Sequence, residues 1–140
     1  MCGIAGAIGV IDPTIEAAVR AMTDAEVHRG PDDSGVYRSD GSPGVMFGFR
    51  RLSILDLTAE GHQPMIDGAS KSVIVFNGEI YNYLDLRREL EGLGTTFRSN
   101  GDTEVLLKGY VRLRTTWSVS RNCYGRQSRT VCALTRWASP

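Results

Sequence analysis

The sequence predicts an α+β fold with antiparallel strands, and three observations carry that expectation. Strand-like runs come in a close pair, at 35–38 and 45–50, joined by the turn Ser-Asp-Gly-Ser-Pro-Gly. Helical periodicity occurs in separate blocks and does not follow each strand, as a parallel sheet would require. A chain of 140 residues with 41% apolar residues is enough for one hydrophobic core and not for several domains.

Each element has its own reason. Cys2, Ile4, Gly6, Ile8 and Val10 alternate with small residues, the period of a strand that buries one face. Asp12-Pro13 supplies a helix cap and a first-turn proline, and Ile15, Ala18, Val19 and Met22 then recur at helical spacing to about Val27. His-Arg-Gly-Pro-Asp-Asp-Ser-Gly at 28–35 is loop chemistry leading into the hairpin. After a loop at 58–64, residues 72–82 read as a β-branched strand that stops at Asn77-Gly78. Asn82 with Asp85 three residues on opens a second helix, whose core stripe is Tyr83, Leu86, Leu90 and Leu93, and Gly94 ends it. A short strand at 96–98 and a helix from 103 to 110 complete the readable part. From Val111 onward neither period persists.

Charge divides the chain at the same place. All 16 acidic residues lie between Asp12 and Glu104, while six of the 16 basic residues follow position 110, so a net charge of zero conceals two unlike parts. Residues 111–140 therefore read as an aberrant basic tail, the product of a shifted reading frame or a truncation. Its scattered arginines form no coherent face for nucleic acid. The apolar opening stretch lacks the basic start of a signal peptide and is broken by Asp12-Pro13 well short of a membrane span. Three cysteines, Cys2, Cys123 and Cys132, match neither a disulfide framework nor a zinc site, and a reducing cytoplasmic setting fits them. Two histidines, His28 and His62, leave little for a metal centre or a Ser-His-Asp triad, and both read as loop residues.

Chemistry is concentrated at Cys2. If Met1 is removed, Cys2 carries a thiol and a free α-amine, whose intrinsic acidities are close enough for the amine to act as the base. Asn77 offers a side-chain amide and Gly78 a backbone N–H with no Cβ in the way, donors suited to an oxyanion, although Asn-Gly alone also fits a hairpin turn. Arg51 follows Arg50 on a strand, so only one of the two can point into a given site. Asp102 by itself reads as a helix cap, and Glu79 as a solvated charge.

Taken together, "MCGIAG", "HRGPDDSG", "RLSILDL", "FNGEIYN" and "GDTEVLL" resemble, in order and spacing, the glutaminase domain of glutamine-dependent asparagine synthetases. These are class II amidotransferases with an N-terminal nucleophile. The resemblance covers roughly residues 1–110 and implies part of a four-layer αββα sandwich with antiparallel sheets. It further implies that Cys2 attacks the side-chain amide of glutamine, with Asn77 and Gly78 stabilising the intermediate. The glutamine subsite it implies comprises Arg51 for the carboxylate, Leu52, Ser53 and Ile54 beside it, Asn77, Gly78 and Glu79, and Asp102 for the ammonium. No cofactor or metal is expected within this chain; ATP and magnesium belong to a synthetase domain that the resemblance makes a partner and whose phosphate loop the sequence lacks. No nucleic-acid or membrane partner is expected. The family's further strands of the second sheet are also missing, so Ile4, Ile8 and Val10, with Val73 and Val75, are expected to stay partly wet. The competing reading is a catalytically inactive remnant or small interaction protein.

Overall fold

In the computed structural model, residues 1–121 are described, with side chains to 115. The order is β1 (Gly3–Gly9), α1 (Pro13–Ala25), β2 (Asp33–Ser39), β3 (Gly44–Arg51), a 3-10 turn (Ala59–Gly61), β4 (Met65–Ile66), β5 (Val73–Ile74), α2 (Tyr83–Gly92) and α3 (Asp102–Arg121). Two antiparallel sheets result, one of order β1-β3-β2 and one pairing β4 with β5, so the chain is α+β as the sequence predicts.

The larger sheet is built around β3. Gly3 stands opposite Arg50 and Gly9 opposite Gly44, while on the other side Asp33 pairs with Arg51 and Ser39 with Val45. α1 starts where expected: the Asp12 carboxylate accepts from the Ile15 N–H at 2.8 Å, and Pro13 occupies the first turn. Its buried residues, Val19 and Thr23, lie on one face of the sheet. Gly48 permits this close approach, because a Cβ there would run into Thr23 Oγ1. Gly3 and Ala5 are buried, whereas Ile4, Ile8 and Val10 are 40%, 63% and 87% exposed. The covered face of β1 is thus the one with small residues, and its large aliphatic face is the wet one. Val73 and Val75 are half-buried.

Three expectations fail for identifiable reasons. The run at 72–82 makes only a two-residue strand, since the Phe76 N–H turns to the side chain of Gln63, donating to Oε1 at 2.6 Å. No strand forms at 96–98, because the amides of Arg98 and Ser99 both donate to Glu104 Oε2, at 2.9 and 2.6 Å. The stripe on α2 is not core: no residue of that helix is buried, Leu86 and Leu90 are half-buried and Leu93 is exposed. Asn82 stands at the N-terminus of α2 but its side chain caps nothing; the first turn closes through its backbone carbonyl. Gly94, at φ +85°, ends the helix as its position predicts.

The last helix also departs from expectation. α3 continues through Tyr110 to Arg121 instead of stopping near 110. Its buried residues gather at its start, where Val105 and Leu107 are almost wholly buried, and Leu113 beyond them is exposed. The remainder of the basic segment, including Cys123 and Cys132, lies outside the described residues. No helix among the described residues is long and apolar enough to cross a membrane.

Candidate active site

Cys2 sits one step beyond the Gly3–Arg50 pair, at the end of the ladder joining β1 to β3. The Leu52 N–H donates to Cys2 Sγ at 3.3 Å, and the thiol lies 3.8 Å from the Leu52 carbonyl. The Cys2 carbonyl accepts from two side chains, Asn77 Nδ2 at 3.0 Å and Arg29 Nε at 3.2 Å. Backbone and side chain of the same residue are therefore both held. Beside it opens a cleft of about 300 Å³, the lower end of the size range of small-molecule pockets. Met1, Cys2, Arg51, Leu52, Ile54, Asn77, Gly78, Glu79 and Asp102 are among the residues lining it.

Nearly all the residues implied by the resemblance are thus brought together from four separate stretches of chain. Ser53 is the exception. It does not line the cleft, and its amide is bonded to Asp32 Oδ2 at 2.7 Å. Arg50 and Arg51 point to opposite sides of the sheet. Arg50 is bound to α1 through the Thr23 carbonyl at 3.1 Å and the Asp24 carboxylate at 2.6 Å. Arg51 is buried on the cleft side, where its guanidinium donates to the carbonyls of Asp56 and Thr58. Two of its five N–H groups are so occupied, and the fork keeps others for a ligand.

Asn77, Gly78 and Glu79 are exposed at the rim of the cleft. Gly78 lies tight against Phe76, whose ring would have to shift to admit a Cβ there, at 2.7 Å. Asn77 can bond Cys2 and still offer a second N–H, since a carboxamide has two. Asp102 is buried at the first residue of α3, where one oxygen accepts from the Ile80 N–H at 3.0 Å. That bond ties the segment after Asn77-Gly78 to the helix.

Several residues that the sequence leaves unremarked support these groups. Gln63 is buried and bridges the Phe76 amide to Thr103 Oγ1 of α3, at 2.6 and 3.3 Å. Asp56 is buried; its Oδ1 accepts from the Thr58 N–H and Oγ1, and its Oδ2 from the Asn100 N–H at 3.0 Å. Burial would raise the Asp56 carboxyl, but the bonds from Thr58 and Asn100, with the charge of Arg51, hold it below the ordinary carboxylate value. An Asp-x-Thr sequence is a local turn signal, so Asp56 was partly legible. Nothing in the sequence marks Gln63. His62 Nδ1 donates to Asp33 Oδ2 at 2.8 Å, and His28 stays close to its own helix end, bonded to the Ala25 carbonyl at 3.1 Å. Arg29 is the residue of its loop that touches the Cys2 backbone.

A family model for the glutamine amidotransferase domain matches residues 1–123, past the position where the sequence reading ends the domain. Among known proteins, the chain is 45% identical over 124 residues to a Mycobacterium tuberculosis protein named for a glutamine-hydrolyzing asparagine synthetase, covering 79% of this chain and 19% of that protein. It is 44% identical over 115 residues to asparagine synthetase (glutamine-hydrolyzing) 1 of Bacillus subtilis, covering 79% and 17%. A root asparagine synthetase (glutamine-hydrolyzing) of Pisum sativum is 36% identical over 112 residues, covering 79% and 18%. The chain therefore spans less than a fifth of the length of each of these relatives. With a family match running through β1, the cleft and α3, the chain belongs to the glutamine amidotransferase domain family.

Proposed function

We propose that the cleft beside Cys2 hydrolyses glutamine, and that it does so as the ammonia-producing part of an asparagine synthetase. One observation carries the reading: a thiol, a carboxamide donor, a buried arginine and a buried aspartate, from four distant stretches, share one cleft of amino-acid size. Arg51 is suited to the α-carboxylate by its planar fork, and Asp102 to the α-ammonium. With the substrate's charged end so held, its side-chain carboxamide can lie against Cys2.

The Cys2 thiol then gives its proton to the α-amine freed by loss of Met1, and sulfur bonds to the carboxamide carbon. The developing oxyanion is met by the free N–H of Asn77 and the amide of Gly78, donors of a kind worth ~10²–10³ in rate apiece. Collapse expels ammonia, which takes up the proton, and leaves a thioester. Water then attacks that thioester, releasing glutamate and restoring the thiol. The relatives' names support aspartate as the ammonia acceptor, amidated with ATP in a domain beyond this chain. In this reading β1-β3-β2 and α1 are two layers of a four-layer αββα sandwich, of which residues 1–110 are an incomplete share, and the basic tail forms no domain of its own.

Labelling with 6-diazo-5-oxonorleucine, an electrophilic glutamine analogue, tests the reading on the full chain. Peptide mapping is expected to find the adduct on Cys2, in molecules that begin at Cys2. Label distributed evenly over Cys2, Cys123 and Cys132, or retention of Met1 on the labelled molecules, contradicts it.

A further inference from the structure

An α-amino acid carries its carboxylate and its ammonium on one carbon, so a pocket that grips both must hold its own two charge partners at a fixed separation. Arg51 and Asp102 come from the end of β3 and the start of α3 and do not bond each other among the contacts of the cleft. Something else must set the distance between them. We propose that Asp56 is the positioning residue that couples the two ends of the glutamine pocket; the assignment rests on the glutamine reading above.

The geometry is specific. The backbone of Asp56 faces the arginine, its carbonyl accepting from Arg51 Nη2. Its side chain faces the other way, and Oδ2 accepts from the amide of Asn100, two residues before Asp102, at 3.0 Å. Between these, Oδ1 accepts from the Thr58 amide at 2.9 Å and its hydroxyl at 2.7 Å. The bonds to Thr58 close a tight turn that also aims the Thr58 carbonyl at Arg51 Nη1, 3.1 Å away. One buried residue therefore orients both carbonyls that fix the guanidinium, and grips the segment leading into the second charge partner. The approach is close as well, for a Cβ on Gly101 would lie 3.6 Å from that of Asp56. The carboxylate is 5% exposed at the residue level and has acceptor sites for all three donors, which a neutral amide or an aliphatic side chain would not supply. Asp56 lines the cleft beside both partners without being needed at the thiol.

This assignment separates binding from reactivity. In Asp56→Asn, the amide nitrogen cannot accept, so one of the Thr58 and Asn100 attachments is lost while the shape is kept. The experiment measures the rate of Cys2 alkylation in the full chain by two reagents: 6-diazo-5-oxonorleucine, which has both charged ends of glutamine, and iodoacetamide, which has neither. The expected result is a tenfold or greater rise in the half-saturating concentration of the glutamine analogue, with its limiting rate and the iodoacetamide rate within about twofold of the parent chain. Thr58→Val, which removes one donor only, is expected to give a smaller rise of the same kind, and it decides the matter if Asp56→Asn fails to fold. Equal slowing with both reagents, or no change with either, overturns the role of Asp56. If the parent chain itself shows no saturable preference for the analogue, the glutamine reading falls, and this inference with it.

Discussion

Arg50 and Arg51 are identical in chemistry and adjacent in sequence, yet the pleat of β3 sends them to different tasks. Arg51→Ala is expected to weaken use of the glutamine analogue by about 2–5 kcal/mol, the range for removing one partner of a desolvated charge pair. Arg50→Ala should leave that affinity nearly unchanged and lower thermal stability by about 1 kcal/mol, since it ties β3 to α1 through a carbonyl and an exposed carboxylate. Equal kinetic damage from the two would place the wrong arginine in the cleft. Asp67 offers a second test at this scale. Burial acts to raise its carboxyl, but bonds from Lys108 Nζ at 2.7 Å and the Ser70 amide at 2.7 Å outweigh it and bring the pKa down to about 2. A carboxyl depressed on folding stabilises the protein above its unfolded value, ~3.9, and ceases to do so as the pH falls towards the folded one. Between about pH 4 and pH 2 the parent chain is therefore expected to lose about 2 kcal/mol more stability than Asp67→Asn, measured by urea unfolding. Parallel pH profiles would remove the ion pair from the account.

Among the elements, packing at β3 is the most demanding. Adding a methyl in Gly48→Ala drives it into Thr23 Oγ1 and should cost about 1–3 kcal/mol, and Thr23→Ala in the same chain should recover more than half of it. An additive double variant would mean that the collision is not what the glycine avoids. The elements that the sequence foretells, β1, α1 and the β2–β3 hairpin, are those whose backbone groups are satisfied by regular partners or by standard caps such as Asp12. Those it misreads share another cause. At Phe76, Arg98 and Ser99, backbone amides are captured by the side chains of Gln63 and Glu104, which lie 13, 6 and 5 residues away in sequence. β-propensity cannot register a competitor of that kind. The α2 stripe failed differently, because helical periodicity records which face is apolar and not whether anything covers it.

For the whole molecule, the site was more legible than the core. Ordered motifs contain most of the residues that line the cleft, from Cys2 to Asp102, with Ser53 the exception. Of the supports, Gln63 stayed hidden, because its shortest bond is to a backbone amide that any residue could supply, while the Asp-x-Thr turn left Asp56 partly legible. At β1 the expectation that Ile4 and Ile8 stay wet is met, since both stand on the exposed face. Ile8→Lys is accordingly expected to change the stability of this chain by less than about 0.5 kcal/mol, as for other surface positions, and a loss above 2 kcal/mol would show that the face is covered in solution. β1 also has a second peculiarity: within the described residues it is hydrogen-bonded to β3 along one side only. Fraying of an edge strand draws on a small local free energy, not the global one. Since the thiol stands at the end of β1 and the arginine on β3, peeling of that one strand parts the thiol from the cleft while the hairpin and both long helices persist. Separation of Cys2 from Arg51 is then a subglobal event, able to precede denaturation on warming and to reverse when the strand zips back.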